Sequence, residues 1–218
     1  MSQRILITAA LPYANGDIHL GHLVEYCQAD MYVRALKRLG EDAFYICAND
    51  AHGTPIELNA ANMGITPETL VNRVHENHKK DFATFEVDFD YFGITHSDTN
   101  RKIVEDVYHT LEKEGKLETR SVEGTWCEHD QRFLPDRFIK GTCPKCNAED
   151  QYGDVCEQCG ATYSPTDLKD PHCALCKNTP VKRNSDHVFY KLSAPENIDF
   201  LRTWLKGGSL QEDVSNYV

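Results

Sequence analysis

A chain of 218 residues with 40% hydrophobic content is long enough to bury a core, as one large domain or as one domain carrying an insertion. Its 34 acidic against 23 basic residues leave a net charge of -11, which argues against DNA as a partner and confines any RNA contact to a local basic patch. No apolar run approaches the roughly 20 residues that cross a bilayer, so no membrane partner is expected. Met1-Ser2-Gln3-Arg4 leads straight into an apolar run without a signal-peptide core, the pattern expected of a cytoplasmic chain.

Arg4 to Ala10 reads as a strand, and Leu20 to Leu39 as a helix with Leu23, Tyr26, Cys27, Met31 and Leu36 at helical spacing before Gly40. Ala43 to Ala48 reads as a second strand. Strand, helix, strand in about 45 residues is a βαβ unit, so the fold class is α/β with a parallel sheet and ligand chemistry at the strand C-terminal ends. Leu11–His22 and Asn49–Gly53 both leave such ends. Thr66-Pro67-Glu68 opens a helix to about Phe85, and Ser97-Asp98 opens another that ends near Gly115. After Leu117 the composition changes, with seven of the nine cysteines between Cys127 and Cys176. Asp186 to Leu192 is extended, and Pro195 to Lys206 is helical. Units of 1–116, 117–192 and 193–218 follow, while Cys27 and Cys47 lie on apolar elements as core residues.

Six cysteines fall in Cys-x-x-Cys pairs, the metal pattern of a reducing compartment. Cys143, Cys146, Cys156 and Cys159 supply four thiolates from two tight turns, a closed set that suits structural zinc and leaves no open position for catalysis. Cys173 and Cys176 need partners, and Cys127 is the remaining nearby thiol. A second zinc would take its fourth ligand from Asp130, at Cys-x-x-Asp spacing, or from His129; a knuckle that has lost its metal is the other reading.

Two stretches carry the remaining chemistry. In Ala10-Leu11-Pro12-Tyr13-Ala14-Asn15-Gly16-Asp17-Ile18-His19-Leu20-Gly21-His22, two histidines three apart flank a glycine at a helix start. A helix N-terminus attracts anions, the imidazoles add aimed donors, and Gly21 lets a phosphate or base approach closely. In Cys47-Ala48-Asn49-Asp50-Ala51-His52-Gly53-Thr54-Pro55-Ile56, Asp50 leaves a strand end ahead of a Gly-Thr-Pro turn, which alone reads equally as a helix cap.

The first stretch resembles the His-x-Gly-His signature of class I aminoacyl-tRNA synthetases, and the two together resemble the methionyl-tRNA synthetases. Phe133-Leu134-Pro135-Asp136-Arg137-Phe138, Lys140-Gly141-Thr142 and Gly160-Ala161-Thr162-Tyr163-Ser164-Pro165 extend that likeness through the insert. The resemblance implies a Rossmann-like nucleotide-binding half-domain over 1–116, a zinc-knuckle connective insertion over 117–192, and its helical end over 193–218. It implies ATP, as its Mg2+ complex, at Tyr13, Asn15, Gly16, His19, Gly21 and His22, with His19 and His22 stabilising the transition state as hydrogen-bond donors. It implies methionine at Leu11, Tyr13 and Asp50, where a carboxylate suits an ammonium and the apolar pair suits a thioether. The implied partners are ATP, methionine and tRNA(Met). Asn49 stands where many bacterial members carry a second Asp, and Asp130 where members with two knuckles commonly carry Cys.

Basic Arg132, Arg137, Lys140, Lys145, Lys177, Lys182 and Arg183 surround the knuckles, either as a solvated surface or as a contact for a tRNA acceptor end. The second class I signature, a Lys-Met-Ser-Lys-Ser-type loop, is not found; Lys191-Leu192-Ser193 is a fragment of it in another context. Half of a catalytic domain is therefore expected here, as a fragment or as one part of an enzyme completed by another chain. A catalytically incomplete zinc-stapled binding module is the alternative. A sister synthetase for leucine, isoleucine or valine fits less well, because the insert is too small for an editing domain.

Overall fold

The computed structural model describes residues 4–208 and 210–217. The first strand, β1 (Ile5–Thr8), feeds a loop into helix α1 (Leu20–Arg38), which returns to β2 (Ala43–Asn49). Helices α2 (Thr54–Asn62) and α3 (Pro67–Thr84) precede β3 (Tyr91–Ile94), and α4 (Asp98–Lys113) follows it. The three strands form a parallel sheet in the order β1-β2-β3, with Ile5 opposite Ala43 and Ile46 opposite Tyr91. Central β2 buries alternate residues from Ala43 to Asn49, and Tyr45 packs under Leu23, Tyr26 and Val33 of α1 and Phe82 of α3.

Chain punctuation places the helix ends. Thr66 caps α3 by accepting from the Thr69 N–H at 3.2 Å, and Ser97 does the same for α4 through Asn100. Strand β3 is not anticipated from the sequence, and a helix after Asp50 is anticipated only through the reading of that residue as a cap; the structure has the helix, α2, but its N-cap is Gly53 with no side-chain bond. The Gly-Thr-Pro turn is the start of α2, with Pro in the first turn and Ile56 and Ala60 on its buried side.

The cysteine-rich part holds two antiparallel three-stranded sheets. Long β4 (Leu117–Cys127) pairs with β9 (Val181–Tyr190) on one side and β5 (Arg132–Phe133) on the other. Strand β6 (Ile139–Thr142) lies between β7 (Gln151–Tyr152) and β8 (Lys169–Cys173). The extended run expected from Asp186 begins earlier, at Val181, because β9 pairs with β4 down to Trp126. Helices α5 (Pro195–Leu205) and α6 (Glu212–Tyr217) complete the described chain; α6 was not anticipated. Among the described residues no helix is long and apolar enough to cross a membrane.

Candidate functional site

The loop after β1 and the end of β2 are sewn together. Asp50 N–H donates to the Pro12 carbonyl at 3.0 Å and Ala14 N–H to the Asp50 carbonyl at 2.8 Å, so Tyr13 and Asp50 form an isolated parallel bridge beyond the sheet. The start of the loop is clamped from α1, where Tyr26 Oη donates to the Ala10 carbonyl at 2.7 Å and the Glu25 carboxylate accepts from the Ala10 N–H at 2.6 Å. Leu11, Tyr13 and Asp50 are thereby presented, exposed, at the C-terminal edge of the sheet.

His19 is the N-cap of α1. Its Nδ1 accepts from the Gly21 N–H at 3.1 Å, while His22 Nδ1 accepts from the His19 N–H at 3.2 Å. The rings stack with centroids 3.8 Å apart. Backbone N–H groups only donate, so each Nδ1 is engaged as an acceptor and each ring's own proton sits on Nε2. Two Nε2–H donors remain for a ligand at a helix N-terminus. Burial, then the neighbouring His19 and His78, push the His22 pKa below the ordinary imidazole value, which favours this neutral donor form. A Cβ on Gly21 would lie 3.0 Å from the His19 ring, so the glycine is what lets the imidazole fold back onto the helix start.

Tyr13 rests its hydroxyl over the beginning of α2. Gly53 there has φ +121°, and a Cβ on it would come within 2.8 Å of Tyr13 Oη, so both backbone and space require glycine. Burial first, and the Asp50 charge to a smaller degree, raise the Tyr13 pKa, offset in part by the Ile56 N–H. Asn59 on α2 donates to the carbonyl and side-chain oxygens of Asn15 at 2.9 and 3.2 Å. His52 lies 3.2 Å from His96 Nδ1 through its Nε2, which ties its loop to the end of β3.

Sequence reasoning missed Asn59, His75 and His78. The two histidines reach Asn49 from α3, and His78 also reaches the Gly16 carbonyl at 2.8 Å. The signal was the stripe Leu70, Val74, His78, Phe82, which puts a histidine at a buried position at intervals of four. Cys47 is a core thiol, raised by burial to about 11.

The insert gathers two sets of metal-binding atoms, each within 4.8 Å of one another: Cys143, Cys146, Cys156 and Cys159, and Cys127, Asp130, Cys173 and Cys176. Tetrahedral zinc with bonds of about 2.3 Å spaces its sulfurs about 3.8 Å apart. Cys143 and Cys159 sulfurs are 4.0 Å apart, and those of Cys146 and Cys156 are 3.6 Å apart, so the first set fits. Burial raises the Cys143 thiol, but the N–H groups of Cys146 and Lys145 and the neighbouring thiols outweigh it and bring it to about 6.

In the second set, Asp130 Oδ2 lies 3.0 Å from Cys173 Sγ and 3.4 Å from Cys127 Sγ, close to the sulfur–oxygen edge of a mixed tetrahedron. The Cys127–Asp130 turn also has the backbone of the other three. Gln131 follows it in the left-handed region at φ 50°, as Asn147, Gly160 and Lys177 follow theirs at 61°, 70° and 64°. Its Asp130 N–H points at Cys127 Sγ (3.4 Å), matching Cys159 on Cys156. His129 lies outside the set and bonds the far carboxylate oxygen through Nδ1 at 2.9 Å. Hydrogen bonding from Cys173, then His129, holds the Asp130 carboxyl far below the usual carboxylate range.

The basic residues of the insert are largely engaged within the chain. Arg132 pairs with Glu57, Arg137 with Asp154, Lys140 with Asp150 and Lys182 with Glu123, and Arg183 stacks on Trp126. Lys145 and Lys177 have no ion-pair partner among the described residues.

Residues 5–218 match the family model described as "tRNA synthetases class I (M)". The chain is 56% identical over 206 residues to the methionine–tRNA ligase of Myxococcus xanthus, covering 94% of the chain and 29% of that protein. It is 52% identical over 215 residues to that of Nitrosomonas eutropha, covering 98% and 31%. It therefore spans less than a third of the length of these relatives. In fold it is similar to Mycobacterium tuberculosis methionyl-tRNA synthetase bound by methionyl-adenylate, with a TM-score of 0.69 at 16% identity over 99% of this chain and 38% of that one. It is also similar to an Agrobacterium radiobacter LeuRS in a ternary complex, with a TM-score of 0.68 at 15% identity over 99% and 24%.

Proposed function

The chain belongs to the class I tRNA synthetase family (M), and from that membership we propose that it is the N-terminal portion of a methionine–tRNA ligase. Such an enzyme activates methionine with ATP as methionyl-adenylate and passes it to tRNA(Met). Residues 1–116 are read as the first half of the catalytic domain, 117–192 as the metal-stapled connective insertion and 193–218 as its helical end. A cytoplasmic location goes with this reading, supported by nine cysteines held free of disulfides.

In the activation step an oxygen of the methionine carboxylate attacks the α-phosphorus of ATP, forming an O–P bond as the bond to pyrophosphate breaks. Charge builds on the phosphoryl oxygens and on the departing pyrophosphate, so the protein's task is positioning and neutralisation. His19 and His22 serve as donors through Nε2–H, fixed by the backbone N–H groups on Nδ1. Tyr13, Asn15, Gly16 and Gly21 shape the rest of the ATP contact, with ATP as its Mg2+ complex. Asp50 holds the substrate ammonium, and Leu11 and Tyr13 contact the thioether. Zinc in the two cysteine sets is structural, cross-linking the turns that carry its ligands; the chemistry of three thiolates and a carboxylate fits the second set as four thiolates fit the first. Lys145 and Lys177, which have no ion-pair partner among the described residues, are cations of the insert offered to a tRNA acceptor end.

The observation that carries the reading is the pair of imidazoles with pinned Nδ1 atoms at the start of α1, on a loop joined by the Tyr13–Asp50 bridge to an exposed carboxylate. ATP–pyrophosphate exchange by the full-length protein tests it. Methionine-dependent exchange that falls at least about 100-fold in His19→Ala or His22→Ala is expected. No exchange, or equal exchange with leucine, overturns it.

A further inference from the structure

Behind the ATP-signature loop runs a buried chain of side chains that the roles given above do not use. Asn49, fully buried at the end of β2, has Nδ2 3.0 Å from the Pro12 carbonyl and 2.7 Å from His78 Nδ1; its Oδ1 lies 2.7 Å from His75 Nδ1. His78, 1% exposed on α3, has Nε2 2.8 Å from the Gly16 carbonyl.

The two carbonyls fix every proton in this chain. A carbonyl only accepts, so Pro12 requires the Asn49 NH2 group on its side. The second amide hydrogen then points at His78 Nδ1, which must be bare. The His78 proton therefore sits on Nε2, where the Gly16 carbonyl needs it, and His75 donates from Nδ1 to Asn49 Oδ1. No donor or acceptor on these atoms is left over, as burial demands.

We infer that His78 is a positioning residue for nucleotide binding: it holds the Gly16 carbonyl inward and so sets the path of the loop from Asn15 to the His19 cap, while Asn49 selects the ring tautomer that allows it. The inference rests on the reading that Asn15–His22 holds ATP. Gly16 offers no side chain of its own to pack, so an external donor is what anchors the loop at this point. An ionised Asp at 49 has no hydrogen to give. It would set a carboxylate oxygen against the Pro12 carbonyl and require a second proton on the His78 ring, at Nδ1, if the Gly16 bond is kept.

The test uses the full-length protein. In ATP–pyrophosphate exchange, His78→Ala is expected to raise the KM for ATP about 5- to 30-fold while the KM for methionine stays within about twofold, from loss of one buried hydrogen bond. His78→Gln, which keeps a donor, is expected to recover most of the loss. 15N NMR of histidine-labelled protein is expected to show His78 protonated at Nε2 alone in the unsubstituted chain and at both nitrogens in Asn49→Asp. Unchanged ATP KM in His78→Ala, equal rises for ATP and methionine without rescue by Gln, or a proton on Nδ1 in the unsubstituted protein overturns the inference. If His78→Ala does not fold, His78→Gln and the NMR measurement decide it. Absence of methionine-dependent exchange in the unsubstituted protein instead overturns the functional reading on which the inference rests.

Discussion

Arg132 of the insert reaches Glu57 of α2 at 2.6 Å while its guanidinium lies 4.2 Å from the centroid of the buried Phe138 ring. The contact ties the cysteine-rich part to the helix that also supplies Asn59 to Asn15. Both charged side chains are more than a third exposed, so solvent screening leaves the ion pair little, and the stacking on Phe138 supplies more. Arg132→Ala is expected to cost about 1 kcal/mol in denaturant unfolding, and Glu57→Gln less than half of that. Hydrogen exchange of the first turn of α2 should rise in both variants. Equal losses for the two would show that charge, not stacking, holds the junction.

Metal analysis separates the ligand sets. Plasma emission on the purified chain is expected to give two zinc ions, one of which is lost in Cys156→Ser and the other in Asp130→Ala. His129→Ala should keep both, because its imidazole contacts the far oxygen of the carboxylate and not the sulfurs. Zinc loss in His129→Ala with retention in Asp130→Ala would reverse the assignment. A chelator should loosen the insert before the parallel sheet, since the buried residues Cys127 and Cys173 sit in the same cluster as Leu134, Phe138 and Ile139.

The parts legible in the sequence were those whose signals are local. The α1 helix, the Thr66 and Ser97 caps and the three Cys-x-x-Cys turns each depend on residues within a few positions of one another, and the structure places them accordingly, except that Met31 of the expected α1 stripe is exposed and Asp30 and Val33 take the buried face with Leu23 and Tyr26. Strand β3 was not legible, since it is four residues long and its pairing partner β2 lies more than 40 positions earlier. The start of α2 is only half legible, because Gly53 and Pro55 punctuate it as a turn or a cap alike, and only packing of Ile56 and Ala60 shows that the chain continues as a helix. The Asn49–His78–Gly16 chain was invisible for the same reason: a buried histidine announces itself by spacing, but its partners at 49 and 16 come from the topology.

Asp90 provides an acid-dependent share of the stability of the parallel sheet. Its carboxylate accepts from Lys37 Nζ at 2.8 Å and from the Tyr45 N–H at 2.7 Å, and these contacts, Lys37 first, hold its pKa below the ordinary value. A carboxyl group whose pKa is lower folded than unfolded adds stability above its unfolded pKa, near 3.9, and that share is lost as pH falls through the folded value. Asp90→Asn is expected to lower stability by about 1 kcal/mol at neutral pH, with the half-exposed Lys37 limiting the ionic share. The gap to the parent should narrow in urea melts as pH falls below the unfolded value and close once pH has passed below the folded one. A gap that is constant from neutral to acid pH would show that the charge on Asp90 contributes nothing.

Helix α4 carries an apolar face with no partner among the described residues. Ile103, Val104, Val107 and Tyr108 follow helical spacing yet are 39–58% exposed, and the helix buries no residue. Leu6 on β1 is 61% exposed at the free side of the sheet. Full burial is worth about 1.5–3 kcal/mol for each aliphatic side chain, and these are already half covered, so a symmetric pair of α4 faces gains roughly 8 kcal/mol. Association costs about 4–15 kcal/mol in lost freedom, which makes the contact weak rather than permanent. The net charge of -11 opposes it further at low salt. The 218-residue chain is therefore expected to self-associate with rising concentration, more strongly in salt, and Val104→Lys with Val107→Glu should return it to monomer. Light scattering reads the outcome: a concentration-independent monomer in the unsubstituted chain, or association unchanged by the two substitutions, would place the adhesive surface elsewhere.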